Sequence, residues 1–220
     1  MYPLPPILIN NEVINETTET KFLGVIVEQH LLWRSHILSV EASISKQCGI
    51  LYLVRNSLDQ RSLRLIYYTL IYPTLTYCLA VWGGSSNTSL NCLVTVQKRV
   101  IRIIAGLRRR DHTHDTFATL NILKFMDVIS LNNATFVYKS LNGLIDCETY
   151  FTSNIDNPYR TRNHTHLTLP LVTSSQSQTH IRYRGVKTYN NLPIGIREKR
   201  SLLSFKTAVK TRSLSAYTVN

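Results

Sequence analysis

The chain has 220 residues, a length that suits one full domain or two small ones. It carries 25 Lys and Arg against 13 Asp and Glu, a formal net charge of +12 at pH 7. Because such a surplus repels itself, it favours a polyanionic partner, with nucleic acid ahead of an acidic membrane surface. The hydrophobic share of 44% excludes wholesale disorder.

The N-terminal part has the pattern of a small antiparallel β unit. Apolar residues 7–9 precede an Asn-Asn turn at 10–11, and residues 22–27 are expected to form its most buried strand. The opening segment lacks a basic stretch and is interrupted by prolines, so we expect no secretory signal and an intracellular protein, cytoplasmic or nuclear. The four cysteines form no C-x-x-C pair and are expected to be reduced.

From residue 35 onward, apolar residues recur at helical spacing. With Ser35 as the expected N-cap, a first helix has an inner stripe at Ile37, Val40, Ile44, Cys48 and Leu51. A second helix has its stripe at Leu63, Ile66, Tyr67, Leu70 and Ile71. We expect this second helix to end by Pro73, because proline disrupts a helix interior.

The uncharged stretch over residues 65–83 is long enough to cross a bilayer. Its seven Tyr or Thr residues and the central Pro73 favour a buried helix plus strand, so a membrane protein is the less favoured alternative. Residues 77–82 fit either a buried strand or a short buried helix. We expect the region around Trp82, including Val81, to lie in the core.

The remaining chain predicts more helices and a loop-rich end. A helix over 90–105 places five residues on its inner side and stops at Gly106: Leu93, Gln97, Val100, Ile101 and Ile104. Helices are expected at 115–120 and 127–141, a long loop at 152–178, strand-like or irregular structure at 182–192, and a basic helix at 201–214. The fold class is mainly α with a small N-terminal antiparallel β unit and a loop-rich C-terminal extension.

Basic residues cluster on one face of the helix at 90–105. Lys98, Arg99 and Arg102 fall within an arc of roughly 100°, and the arginines at 108, 109 and 110 extend its positive end. A solvated face at a helix C-terminus is the alternative, since cations there also favour the helix dipole. Three further arginines exceed what the dipole needs, so we predict phosphate contacts at Lys98, Arg99, Arg102, Arg108, Arg109 and Arg110.

The sequence contains no complete catalytic site. Two-ion phosphoryl transfer needs paired carboxylates, and no Asp-Asp pair occurs; G-x-S-x-G and G-x-x-x-x-G-K motifs are also lacking. Histidines at 112 and 114, and at 164 and 166, allow a metal site, but solvated loop histidines are the favoured interpretation. We assign no catalytic residue and no metal ligand.

Several blocks in order resemble one family. They are Lys21 to Val25, Leu32-Trp33, His36-Ile37, Leu70 to Cys78, Val81 to Gly83, Leu93 with Gln97 to Ile104, Arg182 to Gly185, Tyr189 to Pro193, Ile196, and Ser201-Leu202 through Phe205-Lys206. Together they resemble the region downstream of the polymerase palm in non-LTR retrotransposon (jockey-like, LINE-type) reverse transcriptases. The resemblance covers nearly the whole chain.

That resemblance implies a thumb-like helical bundle that holds an RNA or DNA duplex backbone. Phe22, Leu23 and Gly24 would belong to the primer-grip hairpin, with Gly24 allowing a close backbone approach. The implied domains are a primer-grip-like unit at 1–34, a thumb and connection region at 35–146, and a basic extension at 147–220. We place no membrane among the partners.

The resemblance also implies what this chain lacks. The fingers and the palm with the F/Y-x-D-D carboxylates would precede Met1 and are a possible partner. The chain itself is expected to use no cofactor, whereas the full-length enzyme would use Mg²⁺. A truncated polymerase region without activity of its own is therefore the favoured interpretation, and a non-functional remnant is the alternative.

Overall fold

The computed structural model of the chain describes residues 7–147, 151–152 and 166–217. This part is mostly helical and begins with two antiparallel β hairpins, which confirms the predicted fold class. The first hairpin joins β1 (Leu8–Ile9) to β2 (Glu12–Val13), and the second joins β3 (Glu19–Phe22) to β4 (Val25–Glu28). As predicted, β4 is the most buried strand.

Helix α1 (Arg34–Val54) buries the five predicted stripe residues. Its N-terminus differs from the prediction, because Ser35 does not act as the N-cap. Instead the carboxylate of Glu28, at the end of β4, accepts hydrogen bonds from the backbone N–H groups of Ser35 and Arg34, the latter at 3.2 Å. Burial raises the pKa of Glu28, but these hydrogen bonds outweigh it and the net shift is downward. The second hairpin is thereby fixed to α1.

The chain continues in helical form through Pro73, so the predicted helix end before this proline is wrong. Helix α2 (Gln60–Ile66) leads into a π-helical turn (Tyr67–Ile71), and α3 (Tyr72–Thr76) follows directly. The Tyr72 N–H donates to the Tyr67 carbonyl, the wide spacing of a π turn. Pro73 then lies in the first turn of α3, where proline is tolerated.

The short helix α4 (Leu79–Trp82) decides between the two alternatives for residues 77–82. Tyr77 is extended and Cys78 is left-handed, with a φ of 51°, so residues 65–83 do not form one continuous helix. Trp82 is fully buried, as predicted. Val81 is 53% exposed, so its assignment to the core is wrong, because in a single helical turn it lies on the outer side.

Helix α5 (Asn87–Ala105) packs along α1 and buries all five predicted inner residues. Its C-cap is Gly106, whose φ of 68° is the left-handed conformation that glycine adopts easily. Helices α6 (His114–Thr119) and α7 (Phe125–Leu141) lie close to where the sequence predicts them. Within the described residues, α1 has the length and composition of a membrane span, but its stripe is packed in the core.

Among the described residues 166–217 there are four helices: α8 (Ser175–Thr179), α9 (Ile181–Asn190), α10 (Ile194–Arg197) and α11 (Leu202–Ser215). The strand-like or irregular structure predicted at 182–192 is wrong, because this segment is the helix α9. Gly185 lets α9 approach α7 closely, since a Cβ there would lie 3.0 Å from Val137 Cγ2. The predicted loop at 152–178 contains α8, and its residues 153–165 lie outside the described residues. The predicted basic helix is confirmed as α11.

Two apolar cores meet on α7. The larger core gathers side chains from α1 to α6 and the N-terminal half of α7, and the smaller one lies between the C-terminal half of α7, α9 and α11. Aromatic stacking contributes to the smaller core, where the rings of Tyr138 and Phe205 lie 4.3 Å apart. The domain bounds at 34 and 146 stay a prediction.

Candidate nucleic-acid interface

A buried glutamine fixes the orientation of α5. The Gln97 side chain accepts a hydrogen bond from the Phe125 N–H at 2.8 Å and donates to the Leu123 carbonyl at 2.9 Å and the Tyr67 hydroxyl at 3.0 Å. Burial also raises the pKa of Tyr67, which keeps this hydroxyl neutral. Because three elements hold Gln97, the opposite face of α5, with its basic residues, points away from the core.

A groove of about 1430 Å³ lies along the outer side of the α1–α5 pair. Its walls come from α1, from α5, from residues 56–63 up to the first turn of α2, and from the loop after Gly106. Five of its lining residues are arginines: Arg55, Arg99, Arg102, Arg108 and Arg109. Glu41 is the one acidic residue in this lining among the described residues. The groove is therefore strongly positive.

The arginines of the groove have no carboxylate counterion in the part of the chain that the structure describes. The one ion pair there, with nitrogen and oxygen within 4 Å, joins His114 to Asp115 at 3.3 Å, and it lies outside the groove lining. Uncompensated guanidinium groups facing an open groove attract anions, and phosphate oxygens match their paired donors. The groove is thus electrostatically suited to a polyanion.

The loop after α5 is held in shape by Asp111. Its carboxylate accepts a hydrogen bond from the Arg108 N–H at 2.8 Å, and its carbonyl accepts from Arg102 Nε at 3.0 Å. Arg102 is consequently half-buried and positions the loop, whereas Arg108 and Arg109 are exposed at its tip. Arg99 makes a long contact of 3.4 Å to the Ser45 carbonyl and remains exposed.

The structure brings four of the six predicted phosphate-binding residues to the groove: Arg99, Arg102, Arg108 and Arg109. Lys98 is exposed on α5 and Arg110 is exposed in the loop, but neither lines the groove. The predicted face therefore divides into four groove residues and two exposed residues beside them, and its phosphate contacts stay a prediction.

Sequence reasoning missed a stacked pair at the end of α1. The Arg55 Cζ lies 3.7 Å from the centre of the Tyr52 ring, and both side chains line the groove. The signal was present, because residues three apart on a helix share a face. The apolar stripe of α1 identifies only the buried face of this helix, so it does not predict a site at Tyr52 and Arg55 on the outer face.

Of the residues predicted to form a primer grip, Phe22 ends β3, and Leu23 and Gly24 form the turn to β4. The predicted strand over 22–27 is therefore interrupted. Leu23 and Gly24 both have positive φ, at 46° and 83°, and the Leu23 carbonyl accepts a hydrogen bond from the Tyr77 hydroxyl at 2.6 Å. A Cβ on Gly24 would make only an ordinary 3.5 Å contact with Tyr77, so the backbone conformation and not a close approach requires glycine. Phe22 and Leu23 are 66% and 73% exposed, outside the groove.

The histidine-rich loop gathers no metal-binding set in the described residues. No three His, Cys, Asp or Glu side chains there lie close enough together to hold an ion. His114 contacts Asp115 at the surface, and the Asp111 carboxylate is engaged with the loop backbone. His164 lies outside the described residues.

These features define a basic, mainly helical region with an open arginine groove, and the comparisons with known proteins give its relatives. Over 129 residues, 57% of the chain, it is 33% identical to an RNA-directed DNA polymerase from the mobile element jockey of Drosophila funebris. It is 26% identical over 126 residues to the jockey polymerase of Drosophila melanogaster. It is 23% identical over 105 residues to a probable RNA-directed DNA polymerase from the transposon X-element of the same species.

About half of the chain is thus similar to jockey-like RNA-directed DNA polymerases of mobile elements, which confirms the resemblance drawn from the sequence over that part of the chain. The chain spans only a small part of these relatives, since the matched segment covers 14% of either jockey polymerase and 12% of the X-element protein. No protein-family model and no solved structure matches the chain.

Proposed function

We propose that this chain is the thumb and connection region of a jockey-like reverse transcriptase and that it holds the backbone of an RNA or DNA duplex in the α1–α5 groove. The arginine groove without carboxylate partners carries this proposal. Contacts to phosphate give affinity and register with little sequence discrimination, which suits a polymerase that must move along its template.

Salt dependence tests the proposal. Each neutralised phosphate releases counterions, so the logarithm of affinity falls linearly with the logarithm of salt concentration. Replacing Arg99, Arg108 and Arg109 by Gln should flatten the slope by about 0.9 per lost contact, roughly 2 to 3 units for a B-form duplex. Arg102 is left in place because it holds the loop through Asp111. Fluorescence anisotropy with a labelled duplex at several salt concentrations gives the slope.

A matched control removes the same charge outside the groove. Lys199, Arg200 and Lys206 are exposed and absent from the groove lining, so their replacement by Gln lowers the net charge equally. The proposal expects a much smaller change in slope from this set. An equal change from both sets would reduce the groove to a share of the general positive charge and refute the assignment.

We also propose that the chain alone does not synthesise DNA. Two-ion phosphoryl transfer needs carboxylates that hold both ions. The described residues offer no such set, so the Mg²⁺ implied for the full-length enzyme does not fit here. A primer-extension assay on an RNA template tests this. Incorporation by the purified chain, absent from a mock purification, would overturn it.

The tip of the second hairpin fits a protein partner. Phe22 and Leu23 are exposed apolar side chains, and the hairpin that carries them is held to α1 by Glu28 and to α3 by its contact with Tyr77. Exposed apolar groups on a rigid support are typical of interaction sites. We propose that this tip packs against the palm of a complete polymerase, since the relatives are far longer than this chain.

A further inference from the structure

The Tyr52–Arg55 pair forms a flat surface at one end of the groove. The guanidinium lies over the ring at 3.7 Å, and the Tyr52 side chain is still 53% exposed. Tyr52 belongs to the last turn of α1 and Arg55 is its C-cap, so a regular helix backbone supports both residues. The stacked pair is thus formed before any ligand binds.

Charge is distributed unevenly along the groove. Glu41 and Arg55 are 14 residues apart in sequence, which at 1.5 Å per residue is about 21 Å along α1. The acidic residue therefore lies toward one end of the groove and the stacked pair toward the other. Arg99, which contacts the Ser45 carbonyl at 3.4 Å, lies between them. A bound strand is favoured toward the Tyr52–Arg55 pair, because the acidic residue lies at the other end.

The chemistry of this surface differs from that of the arginines around it. A duplex keeps its bases stacked inside, whereas an unpaired strand presents the faces of its bases, which stack on tyrosine rings and on guanidinium planes. Phosphate contacts alone do not use an aromatic ring. A preformed tyrosine–arginine stack beside phosphate-binding groups is the combination found where single strands bind.

We propose that the groove also takes an unpaired strand that continues from the duplex, with one base stacked on the Tyr52–Arg55 pair and neighbouring phosphates at Arg99 and Arg108. This inference rests on the proposed duplex binding and adds an unpaired strand to what the groove holds. Its recognition element is a π surface and is independent of base identity, so every base is accepted.

Two probes of equal length test this inference on the full chain. They are a labelled oligothymidine of about 12 nucleotides, within the usual site size, and a blunt duplex of the same length. The Tyr52→Ala variant should lose affinity for the oligothymidine by roughly 5- to 150-fold, the range for one stacked base. Its affinity for the duplex should stay within about twofold, because the phosphate contacts persist.

Three further variants isolate stacking. Tyr52→Phe keeps the ring and should restore oligothymidine binding, whereas Arg55→Lys keeps the charge without the plane and should weaken it. Leu53→Ala is the control, since Leu53 is exposed on the same helix outside the groove lining. Circular dichroism confirms equal helix content for each variant before binding is measured.

The outcomes separate this inference from the proposed function. Selective loss of oligothymidine binding in Tyr52→Ala with recovery in Tyr52→Phe supports it. Unchanged oligothymidine binding, or an equal loss for both probes, overturns it. If the Arg99, Arg108 and Arg109 variant also keeps the wild-type salt slope, the proposed function has failed; a flattened slope with no effect of Tyr52→Ala refutes the stacking surface alone.

Discussion

Arginines occur in two regions of this molecule with opposite surroundings. In the groove, no guanidinium group has a carboxylate within 4 Å among the described residues, and most of these arginines are exposed. Where α9 meets α4, which we name the α4–α9 junction, Arg184 of α9 is partly buried and donates to the carbonyls of Leu79 and Ala80. Burial lowers the pKa of Arg184 to about 10. Gly84 allows this close approach, since a Cβ there would lie 2.1 Å from the Thr179 carbonyl oxygen and 3.0 Å from Arg184 Nε.

This contrast shows that surroundings and not residue type decide what an arginine does. Arg184 Nη2 already has acceptors in the protein, namely carbonyls of the one-turn helix α4, so this residue joins α9 to α4. Its Nε and Nη1 are buried without a hydrogen-bond partner among the described residues. The groove arginines have few such acceptors, so their donors remain available to a ligand. Substitutions in the junction should therefore change stability, and those in the groove should change binding.

The largest stability effect is expected at Trp82, beside the junction. Its ring is fully buried and stacks on Phe125 with centres 6.3 Å apart, and its Nε1–H donates to the Tyr77 carbonyl at 2.8 Å. Trp82→Ala should lower the free energy of unfolding by about 3 to 5 kcal/mol in a urea titration. Val81→Ala, at the exposed neighbouring position, should stay within about 0.5 kcal/mol. Equal losses of stability in the two variants would contradict the orientation of α4, in which Trp82 faces the core and Val81 faces solvent.

Arg184 should give a smaller loss. Arg184→Met keeps much of the side-chain volume but leaves the carbonyls of Leu79 and Ala80 without this donor, so we expect about 1 to 3 kcal/mol of destabilisation. Nucleic-acid affinity should not change. Arg99→Gln should show the reverse, with stability within about 0.5 kcal/mol and weaker binding. If Arg184→Met and Arg99→Gln each changed both stability and nucleic-acid affinity, the distinction between the two regions would not hold.

A weaker, pH-dependent effect is expected at His36. Its Nδ1 accepts a hydrogen bond from the Ile26 N–H at 3.3 Å, and its ring lies edge-on to Trp82 at 5.4 Å. Burial lowers the pKa of His36, so the folded state binds this proton less tightly than the unfolded state. The stability contribution is present above the unfolded pKa of about 6.5 and is lost as the pH falls through the lower folded pKa.

Unfolding measured on both sides of about pH 6.5 tests this titration. The native chain should lose more stability on acidification than His36→Gln, which cannot titrate at this position. Identical pH slopes for the two proteins would show that His36 is not the buried base that the fold indicates.

The sequence predicted the helices best where an apolar stripe was long. The spacing from Ile37 to Leu51 and from Leu93 to Ile104 determined which face of α1 and α5 is buried, and Gln97 belonged to the second stripe although it is polar. Pro73 was misleading because a π turn accommodates it, a device with no local sequence signature. At α9 the sequence predicted strand-like or irregular structure, whereas Gly185 lies in a helix and allows close packing that only the tertiary contact with Val137 reveals.

The candidate site was predictable in part because helical spacing also indicates which residues share the outer face of a helix. Helical periodicity placed Arg99 and Arg102 on the outer face of α5, where Arg99 is exposed and Arg102 is half-buried. The groove itself depends on how α1 lies beside α5, so Tyr52 and Arg55 could not be joined to these arginines from one helix alone. The hydrogen bond from Arg102 to the Asp111 carbonyl also depends on how the loop folds back onto α5. Because of this bond, Arg102 holds the loop in place and is less available to a ligand.

Chemical labelling of arginine tests the central claim most directly. Phenylglyoxal modifies accessible guanidinium groups, and mass spectrometry of the full chain with and without a saturating duplex reads each site. The account predicts that Arg99, Arg108 and Arg109 are labelled in the free chain and protected in the complex, whereas Arg200, exposed outside the groove, is labelled equally in both. Equal protection of Arg200, or full labelling of the groove arginines in the complex, would contradict a nucleic-acid-binding groove.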